Sequence, residues 1–369
     1  MQTSHSSPHA SGQWAKTIRG KQVYFGKWDD WKAAKAKYDA QYPPDGQPAR
    51  TRECTTLADL LNTFRRQKRV VLEEGELTQR SFDEYTAVCD RIAATIDPHR
   101  DIQTIGSEDL SELKKVLCRS KAGEQLSPSS QKRLLTMARM VFKFANDELE
   151  PPLARPIRYK KILQPPSAKV LRKARNKVGP RLFAAEEIRA LLEIAKPQLK
   201  AMIYLGINCG FGNRDCATLP IEQLDLALGW HTYWRPKTEI ARRCPLWPET
   251  AAALYAVVKD RTGGLVFMTK YGKPWYSDTG GCPISYEFRK LVKELKIGRN
   301  GITTFYSLRR TFETIGATAG EQLAVDYIMG HTPASDDMAA VYRQKTFDAP
   351  LIKVTERVRD WLQGSITIV

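Results

Sequence analysis

Four short segments of the chain carry side chains suited to phosphate chemistry. In order they are Trp234-Arg235-Pro236-Lys237-Thr238-Glu239-Ile240-Ala241-Arg242-Arg243-Cys244-Pro245-Leu246, Thr304-Phe305-Tyr306-Ser307-Leu308-Arg309-Arg310-Thr311-Phe312, Ile328-Met329-Gly330-His331-Thr332-Pro333 and Val341-Tyr342. Guanidinium forks match phosphate oxygens and stabilise the extra charge of a pentavalent transition state. A lysine can protonate a leaving 5′ oxygen. A tyrosine phenolate can attack phosphorus and hold the product as a phosphotyrosine ester. Because the bond energy stays in that ester, rejoining needs no nucleotide. No Gly-rich phosphate loop, zinc deaminase motif or metal-binding carboxylate cluster occurs, so no cofactor is expected.

The order of these segments resembles the tyrosine recombinase (phage integrase) family. The lysine segment is similar, allowing for slippage, to the family's K-T-x-x-x-x-R-x-x-P-L pattern, and Leu308-Arg309-Arg310-Thr311-Phe312 to its H-x-L-R-x-x-F helix. Met329-Gly330-His331 is similar to L-G-H, with Tyr342 following it, and Met202 to Leu226 resembles the family's helix, arginine turn and strand. The resemblance implies Tyr342 as nucleophile, Arg309 as phosphate clamp, Lys237 as general acid and His331 as a hydrogen-bond donor to phosphate. It also implies a tetramer on paired sites of double-stranded DNA, cut and rejoined through a 3′-phosphotyrosine intermediate.

Two positions depart from the family pattern. Tyr306 stands where a histidine usually precedes the second arginine; a phenol of pKa about 10 is a poor base at neutral pH but still donates a hydrogen bond. In an ungapped alignment the first arginine falls on Gly212, with Asp215 in place of the family's glutamate, and Arg214 is the nearest candidate to replace it. These departures keep open a DNA-binding relative that no longer cleaves; a type IB topoisomerase, which shares the same constellation, is the other alternative, with the arm-like N-terminus against it.

The surrounding sequence supplies the elements that must position these groups. Mainly helical patterning with a few short strands implies an α+β, multidomain chain. Residues 1–50 form a polar tail and an arm-type DNA-binding unit, with a hairpin turn at Arg19-Gly20-Lys21 and a helix bearing Trp31, Ala34 and Tyr38. Residues 51–154 form a helical core-binding (SAM-like) domain whose helices open at Thr55-Thr56, at Thr78 or Ser81, at Ser107 and at Ser127. Residues 155–182 form a basic linker, and residues 183–369 the mixed catalytic domain. By resemblance, the two larger domains clamp a duplex, and the residues after Asp348 dock on a neighbouring protomer through Leu351, Ile352, Val354, Val358 and Trp361, the alternative being that this tail packs on its own domain.

Charge points to the same partner. The chain of 369 residues carries 58 Lys plus Arg against 41 Asp plus Glu, a net charge of +17, which favours a polyanion. Between residues 151 and 185 every charged residue is basic, and such cations repel one another unless a polyanion lies alongside. The candidate DNA contacts are Lys16, Arg19, Lys21, Lys132, Arg133, Arg139, Lys160, Lys161, Arg172 and Lys173. No window is long and apolar enough for a membrane span, and Met1 to His9 has no apolar core, so a cytoplasmic, nucleoid-associated protein with no membrane partner is expected. The 7 cysteines are widely spaced and form no C-x-x-C pair, so they are expected to be reduced thiols without a structural zinc site.

Overall fold

The computed structural model describes residues 7–9, 12–18, 21–41, 56–149, 152–276, 281–298, 303–331 and 347–367. The chain is α+β and divides into two compact units, Met1–Arg175 and Asn176–Val369.

The first unit begins with an antiparallel sheet of β1 (Ser7–His9), β2 (Gln13–Ile18) and β3 (Lys21–Lys27), in the order β1-β2-β3. Ile18 pairs with Lys21, which is the tight hairpin that Gly20 foreshadows. Helix α1 (Trp31–Gln41) packs on β3, with Ala34 buried. Four further helices follow: α2 (Leu57–Glu73), α3 (Gln79–Thr95), α4 (Ser107–Leu117) and α5 (Pro128–Asp147). Thr56, Thr78 and Ser127 cap α2, α3 and α5 through their hydroxyls, each satisfying an amide that the helix leaves unpaired. Their apolar faces, including Leu60, Phe64, Val88, Ile92, Leu113 and Phe142, close a single core.

The start of the basic stretch differs from a solvated linker. Leu153, Ile157, Tyr159 and Leu163 are buried in the same core, and the Asn146 side chain bonds both the N–H and the C=O of Ile157. Only the apolar residues turn inward, so the cations between them face outward. The stretch continues into helix α6 (Ala168–Val178), which buries none of its side chains.

In the second unit, α7 (Ala185–Ile194), α8 (Pro197–Asn208), α10 (Pro248–Val258), α11 (Pro283–Glu294), α12 (Phe305–Gly316) and α13 (Gln322–Met329) surround a core in which α8 is central. The short α9 (Asn213–Ala217) follows α8. An antiparallel sheet of β4 (Leu224–Asp225), β5 (Trp230–Thr232) and β6 (Arg243–Pro245) lies between α9 and α10 in sequence. Gly206 lets α8 meet α12 closely, since a Cβ there would come within 2.9 Å of Leu308. Asn208, wholly buried at the end of α8, donates to the Pro245 carbonyl and accepts from the Trp247 amide, fastening α8 to the end of β6.

The last helix, α14 (Asp348–Gln363), corrects the expectation that it docks on a neighbour. Its Leu351, Val354, Val358 and Leu362 are buried in the core of its own unit. Trp247 Nε1 donates to the Thr355 carbonyl at 3.1 Å, and Arg359 pairs with Glu249 at 2.9 Å. The apolar face that suggested a partner is used at home; of the residues named for docking, Ile352 remains exposed.

A buried ion pair joins α9 to the strand region. Arg242 is fully buried, donates to Asp215 Oδ1 at 2.9 Å and to the Tyr233 carbonyl at 3.0 Å, and stacks on Phe211 at 4.2 Å. The other Asp215 oxygen accepts from the Gly212 amide at 2.6 Å. Removing one partner leaves an uncompensated charge, so Asp215→Asn is expected to cost about 3–5 kcal/mol. Combining it with Arg242→Leu should recover part of that loss, giving a non-additivity of about 1–3 kcal/mol in denaturant titrations of the four-member cycle.

Candidate functional site

The turn after β5 and the ends of α8 and α13 build the site. Arg309, on the inner face of α12, is 1% exposed. Its two terminal nitrogens donate to the Gly210 carbonyl at 2.5 Å and the Met329 carbonyl at 2.7 Å, bridging the chain after α8 to the end of α13. Its Nε has no partner. Burial, followed by repulsion from Arg235, pushes the Arg309 pKa down to about 10, with Asp215 opposing. The group therefore stays charged at neutral pH, and a guanidinium has five N–H donors, more than its carbonyl partners consume.

Gly330 ends α13 with φ +60°, a left-handed conformation that suits glycine. Its carbonyl accepts from Arg235 at 3.0 Å and from the Thr238 hydroxyl at 3.3 Å. The tip of the lysine hairpin is thus tied down beside His331. Lys237 occupies that tip and is exposed. The turn closes through the Arg235 carbonyl, which accepts from the amides of Thr238 and Glu239, the latter at φ +53°. Nδ1 of His331 lies 3.0 Å from Asp326 Oδ1. An ionised carboxylate only accepts, so this contact places the proton on Nδ1 and leaves Nε2 as the second ring nitrogen.

Tyr306 is 43% exposed at the start of α12, and the Arg310 guanidinium stacks on its ring at 5.3 Å. A Cβ at Gly212 would lie 3.6 Å from that ring, so Tyr306 stands over the position where the resemblance expects an arginine. Arg214, half-buried on α9, turns to another partner, stacking its guanidinium on Tyr276 at 5.1 Å. Arg309, Arg235, His331, Tyr306 and the Lys237 turn are therefore brought together, whereas no contact links Arg214 to them among the described residues. Tyr342 lies outside the described residues.

Two basic residues of the neighbourhood escaped the sequence reading. Arg235 and Arg242 both act electrostatically on Arg309, the first from the hairpin and the second from beneath it. Arg242 could have been suspected from strand alternation, since it and buried Cys244 flank the half-buried Arg243. Arg243 points the other way, stacking on Trp230 at 3.9 Å and pairing with Asp348.

In the first unit, Arg139, Lys143 and Lys160 line a cleft of about 510 Å³ with Tyr159 and Asn146. Lys132, Lys160, Lys161, Arg172 and Lys173 are exposed, while Arg133 is paired with Glu84. The side chains of Lys16 and Lys21, and all of Arg19, lie outside the described residues. Among the described residues, no helix is long and apolar enough to cross a membrane.

No protein-family model matches the chain, and no curated protein matches it by sequence. Solved structures do. The chain is similar to a lambda integrase dimer bound to a COC′ core site, with 16% identity, TM-score 0.57, and coverage of 94% of this chain and 97% of that one. It is similar to a lambda integrase tetramer bound to a Holliday junction, with 14% identity, TM-score 0.57, and coverage of 91% and 97%. It is also similar to the Tn1549 transposon integrase in complex with transposon right end DNA, with 17% identity, TM-score 0.56, and coverage of 78% and 98%. At these identities the likeness is one of architecture: the chain shares the fold of these integrases.

Proposed function

We propose that this chain is a site-specific DNA recombinase of the tyrosine type, an integrase that cuts and rejoins duplex DNA through a 3′-phosphotyrosine ester. The observation that carries the reading is the fastening of Arg309, Arg235 and, through Thr238, the Lys237 hairpin to the carbonyls of Gly210, Met329 and Gly330, with His331 next in the chain after Gly330, within a fold shared with DNA-bound integrases. Cations fixed by backbone contacts form a preorganised receptacle for a phosphate, and they need no reorganisation as charge develops.

In this reading the phenolate of Tyr342 attacks phosphorus and the 5′ oxygen leaves with a proton from Lys237. Arg309 stabilises the pentavalent phosphate, His331 donates through Nε2 when protonated, and exposed Tyr306 offers a neutral hydroxyl in place of the usual histidine. Arg235 supplies a second guanidinium, the role the sequence assigned to Arg214. Tetramer formation on paired sites belongs to the same proposal, and lambda integrase has been solved as a tetramer on a Holliday junction.

One observation favours the rival reading of a DNA-binding relative without cleavage: Arg214 stacks on Tyr276. A nicked suicide substrate carrying the true site separates the two. A covalent adduct from the wild-type chain supports the recombinase, and its absence with DNA affinity intact supports the rival.

Two further outcomes are expected. Tyr342→Phe abolishes the adduct with DNA affinity nearly unchanged, whereas Arg309→Lys, which keeps a cation but cannot reproduce the fork, lowers the cleavage rate by about 10²–10³. Both are read by gel separation of the adduct. Binding to duplex DNA should weaken steeply with salt, with a log–log slope of about −5 to −7 if about five to eight phosphates are contacted. Neutralising Lys160, Lys161, Arg172 and Lys173 together should flatten it, and a wild-type slope shallower than about −2 would defeat the polyanion assignment.

A further inference from the structure

Beneath the hairpin lies a cluster that the phosphate chemistry does not use. Cys209 caps the end of α8, His231 sits in β5, and Cys244 sits opposite His231 in β6. All three are wholly buried, and their ligating atoms lie within 4.8 Å of one another. Among the described residues, neither ring nitrogen of His231 has a hydrogen-bond partner. An unpaired imidazole in the interior carries a desolvation cost that native structures rarely leave unanswered.

We propose that Cys209, His231 and Cys244 bind a structural zinc ion. In a tetrahedral site with Zn–S of about 2.3 Å and Zn–N of about 2.0 Å, neighbouring ligand atoms lie about 3.5–3.8 Å apart. The observed cluster therefore closes around an ion by about 1 Å, a movement within reach of small side-chain rotations. The donor set is two soft sulfurs and an imidazole, which suits zinc and not magnesium or calcium. An oxygen is also at hand for a fourth position: the Asn208 carbonyl lies 3.7 Å from Cys244 Sγ.

Binding forms two Zn–S bonds and one Zn–N bond and sends two thiol protons to solvent. The dication is then balanced by two thiolates, and the site adds no net charge beside Arg242, which already has Asp215. Phe211 packs edge-on against the His231 ring, with centroids 4.9 Å apart, and shields the cluster.

The location gives the ion its work. It ties both strands at the base of the Lys237 hairpin to the residue just before Gly210, whose carbonyl anchors Arg309. The ion has no part in the phosphate step, so its effect is on stability and on the placement of the hairpin. The C-x-x-C test misses it because its ligands come from three segments distant in sequence.

The test uses the full chain, purified with a reductant and without chelator. Zinc by mass spectrometry should reach one ion per chain. Replacing zinc with Co(II) should give thiolate-to-metal charge transfer and tetrahedral d–d absorption, saturating at one equivalent and lost in urea. Cys209→Ser and Cys244→Ser should each abolish the charge-transfer band, while Cys89→Ser, in the core of the first unit, should keep it. If the site variants fail to fold, the wild-type cobalt titration decides alone. A wild-type chain without a saturable thiolate–cobalt band overturns the proposal, as does a band that survives Cys209→Ser.

Discussion

One guanidinium holds the second unit's working end together. Arg309 reaches from α12 to two carbonyls that belong to different segments, Gly210 and Met329, and does so out of contact with solvent. A buried cation is tolerated only when its donors are met and a compensating charge is near. The carbonyls meet part of the first demand and Asp215 contributes to the second. Everything nearby takes its position from that bridge. Met329 leads into Gly330, Gly330 receives Arg235 and Thr238, and those contacts set where the lysine turn lies.

The region is consequently richer in positive charge than in negative. Arg235 and Arg242 both act on Arg309, and Asp215, paired with Arg242, opposes them. Packing like charges together costs stability, and binding sites are where such costs concentrate. An anion entering from solvent would relieve the repulsion. The first unit adds cations of a different kind, exposed and set between apolar residues that are turned into its core. They contribute long-range attraction, which salt screens, whereas the buried group acts at contact range.

Much of this could be read from residue types and spacing, and the remainder has identifiable physical reasons. Thr56, Thr78 and Ser127 declare their helices because a hydroxyl before an amphipathic run has one obvious use. The segments of Arg309, His331 and Lys237 could be picked out because each resembles a short motif and the motifs follow one another in order. The part of Arg235 was not legible, since it depends on a left-handed glycine nearly a hundred residues away accepting its hydrogen bond. The inward turn of Arg242 depends on which face of the hairpin is covered. For α14, the apolar stripe was visible but not its destination, because an amphipathic helix buries equally well against its own unit or another. The meeting of Cys209, His231 and Cys244 was not legible, because cysteine spacing says nothing about side chains that come together through folding.

The Asp215–Arg242 pair separates a charge's place in the chain from its place in the fold. Position by position, the pattern that the sequence resembles expects an arginine at 212, where this chain has glycine, and nothing in it expects the buried arginine at 242. In space the two observations cancel, for the carboxylate three residues after Gly212 still has a guanidinium, supplied from the opposite direction. The carboxylate responds to the charge beside it in space, whichever stretch of the chain supplies that charge.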